Sequence, residues 1–243
     1  MLRRLAAVIA RPAVRRVVLA GALAANVGLS LVCLEFYRRE QQVRLHPTWP
    51  VPAAVARTSQ RTQALFLGDS RMQEWPDLPA ERFVTINAGG PGETTAQILL
   101  RAKPTLDAVQ PELVVLQAGV NDLKTIGALP AQARDIEAQC LTNLRALVEL
   151  CRSRGARVVL VPILPTARPS LLRLPVWSGE IDAARRRVNA ALRQQFEHAP
   201  GVTLLSDHVL DPNTAGDYRD TLHFTAQAYS KLEAAALRAI QAP

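Results

Sequence analysis

Four short segments that follow one another along the chain carry residue types that could transfer an acyl group. They are Gly68-Asp69-Ser70, Asn87-Ala88-Gly89-Gly90-Pro91-Gly92, Gly119-Val120-Asn121-Asp122 and Asp220-Thr221-Leu222-His223. A serine hydroxyl is a weak nucleophile until a neighbour takes its proton. His223 is the candidate base for Ser70. Asp220, three residues earlier, is placed to orient the imidazole and to stabilise its charged form. A tetrahedral intermediate needs hydrogen-bond donors aimed at its oxyanion. The Ser70 N–H, the Gly92 N–H and the side-chain amide of Asn121 are the candidates. Each segment also has a plainer reading. Asp69 or Ser70 suits a helix cap, Gly-Gly-Pro-Gly suits a turn, and Asn121-Asp122 suits another cap. His208, between Asp207 and Asp211, is the competing base, and triad logic favours His223. His46 lies in a Pro-containing stretch, and His198 precedes Ala199-Pro200-Gly201.

Three of the segments follow apolar, β-branched runs. That is where an open α/β sheet carries its working residues, beyond the carboxyl ends of its strands. Strands are expected at Ala64–Leu67, Phe83–Asn87, Leu113–Gln117, Arg157–Leu164 and Val202–Leu205. Helical patterns occupy Thr94–Gln110, with a break allowed at Pro104, then Ala131–Arg154, Glu180–His198 and Thr225–Gln241. This alternation argues for a parallel sheet covered on both faces. Right-handed crossovers limit the topologies, and the strand order expected is 2-1-3-4-5, which the family resemblance given below also implies. The loop Pro165–Gly179 carries Leu171, Leu172, Leu174, Val176 and Trp177 with Arg168 and Arg173. It follows a strand end on the same side as the four segments. Three readings stand open for it: the wall of an acyl or sugar pocket, a membrane contact, or a lid packed on the core.

The four segments together resemble the SGNH (GDSL-type) hydrolase family, over about residues 63–240. The resemblance implies a flavodoxin-like three-layer α/β/α sandwich with a five-stranded parallel sheet. It implies ester or thioester hydrolysis without a cofactor. It makes Ser70 the nucleophile, has Gly92 and Asn121 complete the oxyanion hole, and takes Asp220 and His223 as acid and base. Two residues depart from the family pattern. Arg71 stands where Leu often follows the serine, and Glu93 replaces a common Asp. Among Gly89, Gly90 and Gly92, Gly92 is preferred, because Glu93-Thr94-Thr95 continues as the family does.

The net charge of +8 is unevenly spread. Residues 1–44 hold eight Arg against two Glu, and the rest of the chain is close to neutral. No basic face of the kind that binds nucleic acid is expected. Arg185-Arg186-Arg187 reads as a helix's solvent face. Val17–Leu34 is apolar, and at 1.5 Å per residue it reaches about 27 Å, close to the hydrocarbon core of a bilayer. Arg3, Arg4, Arg11, Arg15 and Arg16 precede it, while Arg38, Arg39 and Arg44 follow. That excess places the N-terminus in the cytoplasm and the remainder outside, in a periplasm or at a cell surface. The alternative is a signal peptide cleaved after Ala22-Leu23-Ala24, giving a secreted protein. Residues 1–36 are thus expected to be a basic segment and transmembrane helix, 37–62 a linker, and 63–243 the catalytic domain. Cys140 and Cys151 fall eleven residues apart in one helix, about 16 Å, too far for a disulfide. No Cys/His spacing suggests a metal site.

These readings converge on a membrane-anchored serine esterase acting on short acyl esters, acetyl groups above all, of an extracytoplasmic glycan. An O-acyltransferase with the same three residues stands beside it, as do a lysophospholipase or thioesterase for longer chains. The expected partners are an acylated glycan or another acyl ester, and the membrane through the N-terminal helix. The sequence sets no oligomeric state.

Overall fold

The computed structural model describes residues 12–45, 48–53, 60–214 and 216–241. Arg3, Arg4 and Arg11 of the basic segment, and His46 and Pro47 of the linker, lie outside the described residues. The chain divides into two compact units, Met1–Pro47 and Thr48–Pro243.

The described residues of the first unit form one helix, α1, Pro12–Leu45. Its segment Pro12–Arg38 is long and apolar enough to cross a membrane, which suits a signal anchor or a signal peptide. Asn26, a polar residue inside that span, donates to the carbonyl of Ala22 at 2.8 Å, so one of its amide N–H groups is satisfied within the helix. The helix continues through residues 37–45, which the sequence assigns to a linker. Glu, Gln and Arg dominate that stretch, all good helix formers, and no Gly or Pro interrupts it before Pro47.

The second unit is a five-stranded sheet of order β2-β1-β3-β4-β5, with every neighbouring pair parallel. Its strands are β1 Thr62–Gly68, β2 Phe83–Gly89, β3 Leu113–Gln117, β4 Arg157–Leu160 and β5 Val202–Leu204. The helices are α2 Ser70–Gln73, α3 Thr95–Val109, α4 Val120–Leu123, α5 Ala133–Ser153, α6 Gly179–Phe196 and α7 Ala226–Gln241. Strand side chains alternate between faces, and the core divides accordingly. Leu65, Leu67, Val114, Leu116, Val158 and Leu160 pack against α3, α5 and α6. Ala64, Phe66, Leu113, Val115, Val159 and Val161 face Met72, Trp75 and the α7 residues Tyr229, Leu232 and Ala236. The result is the expected three-layer α/β/α sandwich.

Three expectations need correction. Pro104 does not break α3, which runs fifteen residues through it. Proline cannot donate to the carbonyl of Leu100, but both residues are exposed, so water can satisfy that oxygen. Strand β4 stops at Leu160 rather than Leu164. Val161–Leu164 remain buried; the Val161 N–H still donates to the Leu116 carbonyl of β3 at 2.9 Å, and the ladder ends after it. Pro162 has no N–H. Asn189 of α6 accepts from the Ile163 N–H at 2.9 Å and donates to its carbonyl at 3.0 Å. A side-chain amide thus takes over the work of a strand partner. The Arg185–Arg187 run is not a bare solvated face either. Arg185 and Arg186 pair with Asp182, and Arg187 pairs with Glu180 and with Glu137 of α5. Cys140 and Cys151 are free and buried in α5, as their spacing requires.

Candidate active site

The turn after β1 presents Ser70. Gly68 ends the strand against β3, where an added Cβ would lie 2.0 Å from the Gln117 carbonyl oxygen. Only glycine allows that approach. Asp69 caps the short helix α2, its Oδ1 accepting from the Arg71 N–H at 2.9 Å. The capping alternative therefore holds for Asp69, and it leaves Ser70 as the first helical residue. Its hydroxyl lies 3.1 Å from His223 Nε2. On the far side of the ring, Nδ1 lies 2.8 Å from Asp220 Oδ2. With the proton on Nδ1, Nε2 is left to accept from the serine.

Asp220 is held as an anion. Burial alone would raise its carboxyl pKa, but the backbone N–H of His223 at 2.9 Å, the His223 ring and the Leu222 N–H at 2.7 Å outweigh it, and the pKa falls to about 2. The rival His208 has a side chain 90% exposed and touches Asp207 only at 3.6 Å. Asp207 is already paired with Arg193 at 2.9 Å.

The glycine segment after β2 separates its three candidates. The Gly89 N–H donates to Asn87 Oδ1 at 2.9 Å, and the Gly90 N–H donates to the Gly68 carbonyl at 2.9 Å. Gly92 has φ +77° and open space where a Cβ would be. Its N–H, like that of Ser70, has no hydrogen-bond partner among the described residues. Asn121 is buried at the start of α4, where its amide donates to the Glu93 carbonyl at 2.9 Å. Gly119 before it has φ +112°, and a Cβ there would strike Ile163. Hydrogen bonds thus join the glycine segment both to the Ser70 turn and to Asn121. Among the described residues, no group of three or more His, Cys, Asp or Glu side chains is gathered for a metal ion.

Four polar residues do more than the sequence reading assigned to them. Arg71, noted there only as a departure, is fully buried. Its Nε donates to the Leu222 carbonyl at 2.8 Å, Nη1 to Leu164 at 3.0 Å and Nη2 to Pro165 at 3.2 Å. The guanidinium also lies 4.5 Å from the Phe224 ring centroid. Glu93 forms a buried pair with Arg101 of α3 at 2.5 Å, and it accepts the Trp49 N–H at 2.5 Å. The latter bond fastens part of the expected linker to the catalytic unit. The available signal was Arg101 itself, a charge within the apolar stripe Ile98, Ala102, Leu106. Asp122 accepts from the N–H and hydroxyl of Thr95 at 2.9 and 2.5 Å, joining α4 to α3. Lys124 donates to Asn121 Oδ1 at 2.5 Å.

The family model for GDSL-like lipases and acylhydrolases matches residues 55–231, most of the chain. The chain belongs to the GDSL-like lipase/acylhydrolase family. It is thereby a GDSL-type serine ester hydrolase. No curated protein matches it by sequence. Among solved structures it is similar to a GDSL-like lipase from Bacteroides thetaiotaomicron, with TM-score 0.55, 19% identity and coverage of 83% of this chain and 96% of the other. It is also similar to the lipase/acylhydrolase from Enterococcus faecalis, with TM-score 0.54, 20% identity and 74% and 95% coverage. A third is a catalytic mutant of the acetylxylan esterase Axe2 from Geobacillus stearothermophilus, with TM-score 0.55, 17% identity and 77% and 98% coverage. At these identities the likeness concerns the fold. In this family member, the Leu that often follows the serine has given way to the Arg71 clamp.

Replacing Arg71 with Leu would take the donor from the buried Leu222 and Leu164 carbonyls, while the Pro165 carbonyl keeps the Tyr218 hydroxyl at 3.1 Å. Arg71→Leu should cost roughly 3 kcal/mol or more. At about 2–4 °C per kcal/mol, Tm should fall by roughly 6–12 °C. Ester turnover should drop with it, because the Leu222–His223 segment loses its tie to the Ser70 turn. A variant with unchanged Tm and turnover would show that the clamp does not hold the site together.

Asp69 gives a pH prediction. Burial raises its pKa from 3.8 to about 6, against the opposing pull of Arg71. A carboxyl whose folded pKa lies above its unfolded value holds its proton more tightly in the folded state. It therefore costs nothing below about pH 4 and destabilises increasingly as pH rises through about 6. Asp69→Asn keeps the capping oxygen and removes the titration. The Tm of wild type minus that of Asp69→Asn should become more negative between pH 4 and pH 8. A difference that stays flat or rises would refute the assignment.

Proposed function

We propose that Ser70 is the nucleophile of an esterase whose base is His223, whose orienting acid is Asp220, and whose oxyanion donors are the Ser70 and Gly92 N–H groups with Asn121 Nδ2. The observation that carries this reading is the hydrogen-bonded line Ser70–His223–Asp220, at 3.1 and 2.8 Å. In the first half-reaction Ser70 Oγ attacks the ester carbonyl while His223 Nε2 takes the hydroxyl proton. The carbonyl oxygen becomes the oxyanion. Collapse of the intermediate expels the alcohol, which leaves with the proton from His223. Water then repeats the sequence on the acyl-enzyme and releases the carboxylic acid. The depressed pKa keeps Asp220 ionised throughout, so the imidazolium always faces an anion.

The substrate of this proposal is a short acyl ester, an acetyl group above all, on an extracytoplasmic glycan. Acetylxylan esterases among the structural neighbours support it, since their named substrate is an acetylated polysaccharide. The N-terminal helix supports an envelope location. Five arginines before the apolar stretch against three after it orient the N-terminus to the cytoplasm and the catalytic unit outward. A second reading rests on one feature. Leu171 and Leu172 in the loop between β4 and α6 are 84% and 92% exposed. Exposed paired leucines suit contact with a long acyl chain or a lipid surface better than a packed lid.

Ser70→Ala should abolish turnover with the fold intact, and His223→Ala should come close to it, because such units lose activity non-additively. Asn121→Ala should cost about 10² to 10³ in kcat, the usual loss of one oxyanion donor. Full activity in Ser70→Ala would require a different nucleophile. Efficiency on aryl esters should fall steeply beyond butyryl. Efficiency that instead rises to octanoyl or longer would transfer the case to the second reading.

The topology is tested separately. A phosphatase reporter fused to the C-terminus should be active outside the cytoplasm, and the protein should remain with membranes. A cytoplasmic signal would reverse the orientation. A mature N-terminus at Ala25 would make the helix a signal peptide.

A further inference from the structure

We propose that Lys124 is a positioning residue for Asn121, its ammonium fixing the carboxamide so that one Nδ2 hydrogen is directed at the oxyanion. The inference rests on the reading of Asn121 as an oxyanion donor. A side-chain amide has one acceptor oxygen and two N–H donors. In Asn121 the oxygen accepts from Lys124 Nζ at 2.5 Å, and one N–H donates to the Glu93 carbonyl at 2.9 Å. Only the second N–H is left for a substrate. The two anchors come from opposite chemistries. A lysine ammonium can only donate, and a backbone carbonyl can only accept. Together they oppose both a flip and a swing of the amide. Lys124 reaches its target because it follows Asn121 by three residues, one turn along the same helical face.

The charge matters beyond the geometry. An exposed lysine would extend its ammonium to water. Lys124 is half-buried and makes no ion pair with a carboxylate among the described residues. Burial, and then the Arg173 cation, push its pKa below the usual lysine value. Asp69 and Asp122 attract the ammonium against that cost, and its hydrogen bond goes to the Asn121 amide oxygen. A cation bound there draws electron density from the amide nitrogen, which makes the remaining N–H a stronger donor. Such a donor matters most when the substrate oxygen gains charge, so the benefit falls on turnover rather than on binding.

The test is a double-mutant cycle on purified full-length protein in detergent, with an aryl acetate as substrate. Lys124→Met keeps the buried stem and removes the charge, with Lys124→Gln as a second variant should the first misfold. Either should lower kcat about ten- to hundredfold, less than loss of the donor itself, and leave KM within about twofold. Lys124→Arg, which restores a cationic donor, should recover most of the turnover. In the Asn121→Ala background, removing Lys124 should have no further effect on kcat, because its target is gone. An equal loss in both backgrounds would mean Lys124 acts elsewhere and would overturn the proposal. So would an unchanged kcat in Lys124→Met beside a crippled Asn121→Ala. If Asn121→Ala itself retains full turnover, the oxyanion role of Asn121 fails, and the role of Lys124 falls with it.

Discussion

A guanidinium surrounded by backbone carbonyls joins the two halves of this site. Ser70 and His223 stand 153 residues apart in the chain, and their 3.1 Å contact depends on two loops meeting at the rim of the sheet. Arg71 follows one of these residues directly, and it donates to the carbonyl of Leu222, directly before the other. Its remaining donors take the carbonyls of Leu164 and Pro165, where β4 gives way to the next loop. Tyr229 of α7 closes the arrangement by donating to the Arg71 carbonyl at 2.8 Å. The cost is desolvation of a full charge, and burial does lower the Arg71 pKa. Planar geometry explains the choice of residue. A guanidinium can address three carbonyls in a fixed fork, while an ammonium is a point charge on a flexible stem.

The same solution recurs around the rim, each time with a buried polar group bridging segments that the sheet alone leaves unconnected. Glu93 and Arg101 join the glycine turn to α3, and Arg101 also donates to the Ala88 carbonyl at 2.8 Å. Asp122 joins α4 to α3 through Thr95, and Asn143 of α5 donates to that threonine's hydroxyl at 3.0 Å. Buried polar networks stabilise only when satisfied, and a half-satisfied one is worse than an apolar core. Arg101 Nη1 has no partner among the described residues, and the bonds that are made tie each turn to its neighbour. That rigidity suits a site whose donors must be in place before charge develops on the substrate.

The fold was legible in the sequence because its signals are local. Apolar strand runs such as Leu113–Gln117 and amphipathic stretches such as those of α5 and α7 follow from burial of one face, and burial leaves a periodic record. The order of the sheet followed from crossover handedness and from the family resemblance. Misplaced boundaries came from partners distant in sequence. Nothing in Arg157–Leu164 announces that Asn189 will replace a strand partner at Ile163. The chain around residues 37–45 reads as polar, and polarity alone cannot separate a linker from a solvated helix. At the site, hydrogen bonds connect Ser70, His223 and Asp220, and Asn121 is bonded to Glu93, while the Gly92 N–H has no partner among the described residues. Residues whose roles depend on distant carbonyls were not legible as partners. Arg71 was visible as an anomaly, and its acceptors near residues 164 and 222 were not. Lys124 carried no signal in the sequence.

The loop between β4 and α6 faces a different constraint from the rest of the rim. Its base is held, since Arg71 grips the Pro165 carbonyl and the Ala167 N–H donates to the Thr221 carbonyl at 3.0 Å. Its far end is also packed, with Gly127 so close that a Cβ there would meet the Val176 carbonyl oxygen at 1.9 Å. Between those anchors, Leu171 and Leu172 project into solvent. Apolar side chains held in water gain nothing for the fold, and each stands to gain roughly 1.5–3 kcal/mol from burial. A firmly anchored loop with an apolar tip is therefore suited to a contact made outside the folded unit. The rigid polar rim accounts for how a carbonyl would be activated. The second, long-chain reading of the substrate rests on this tip, the acetyl reading on other grounds.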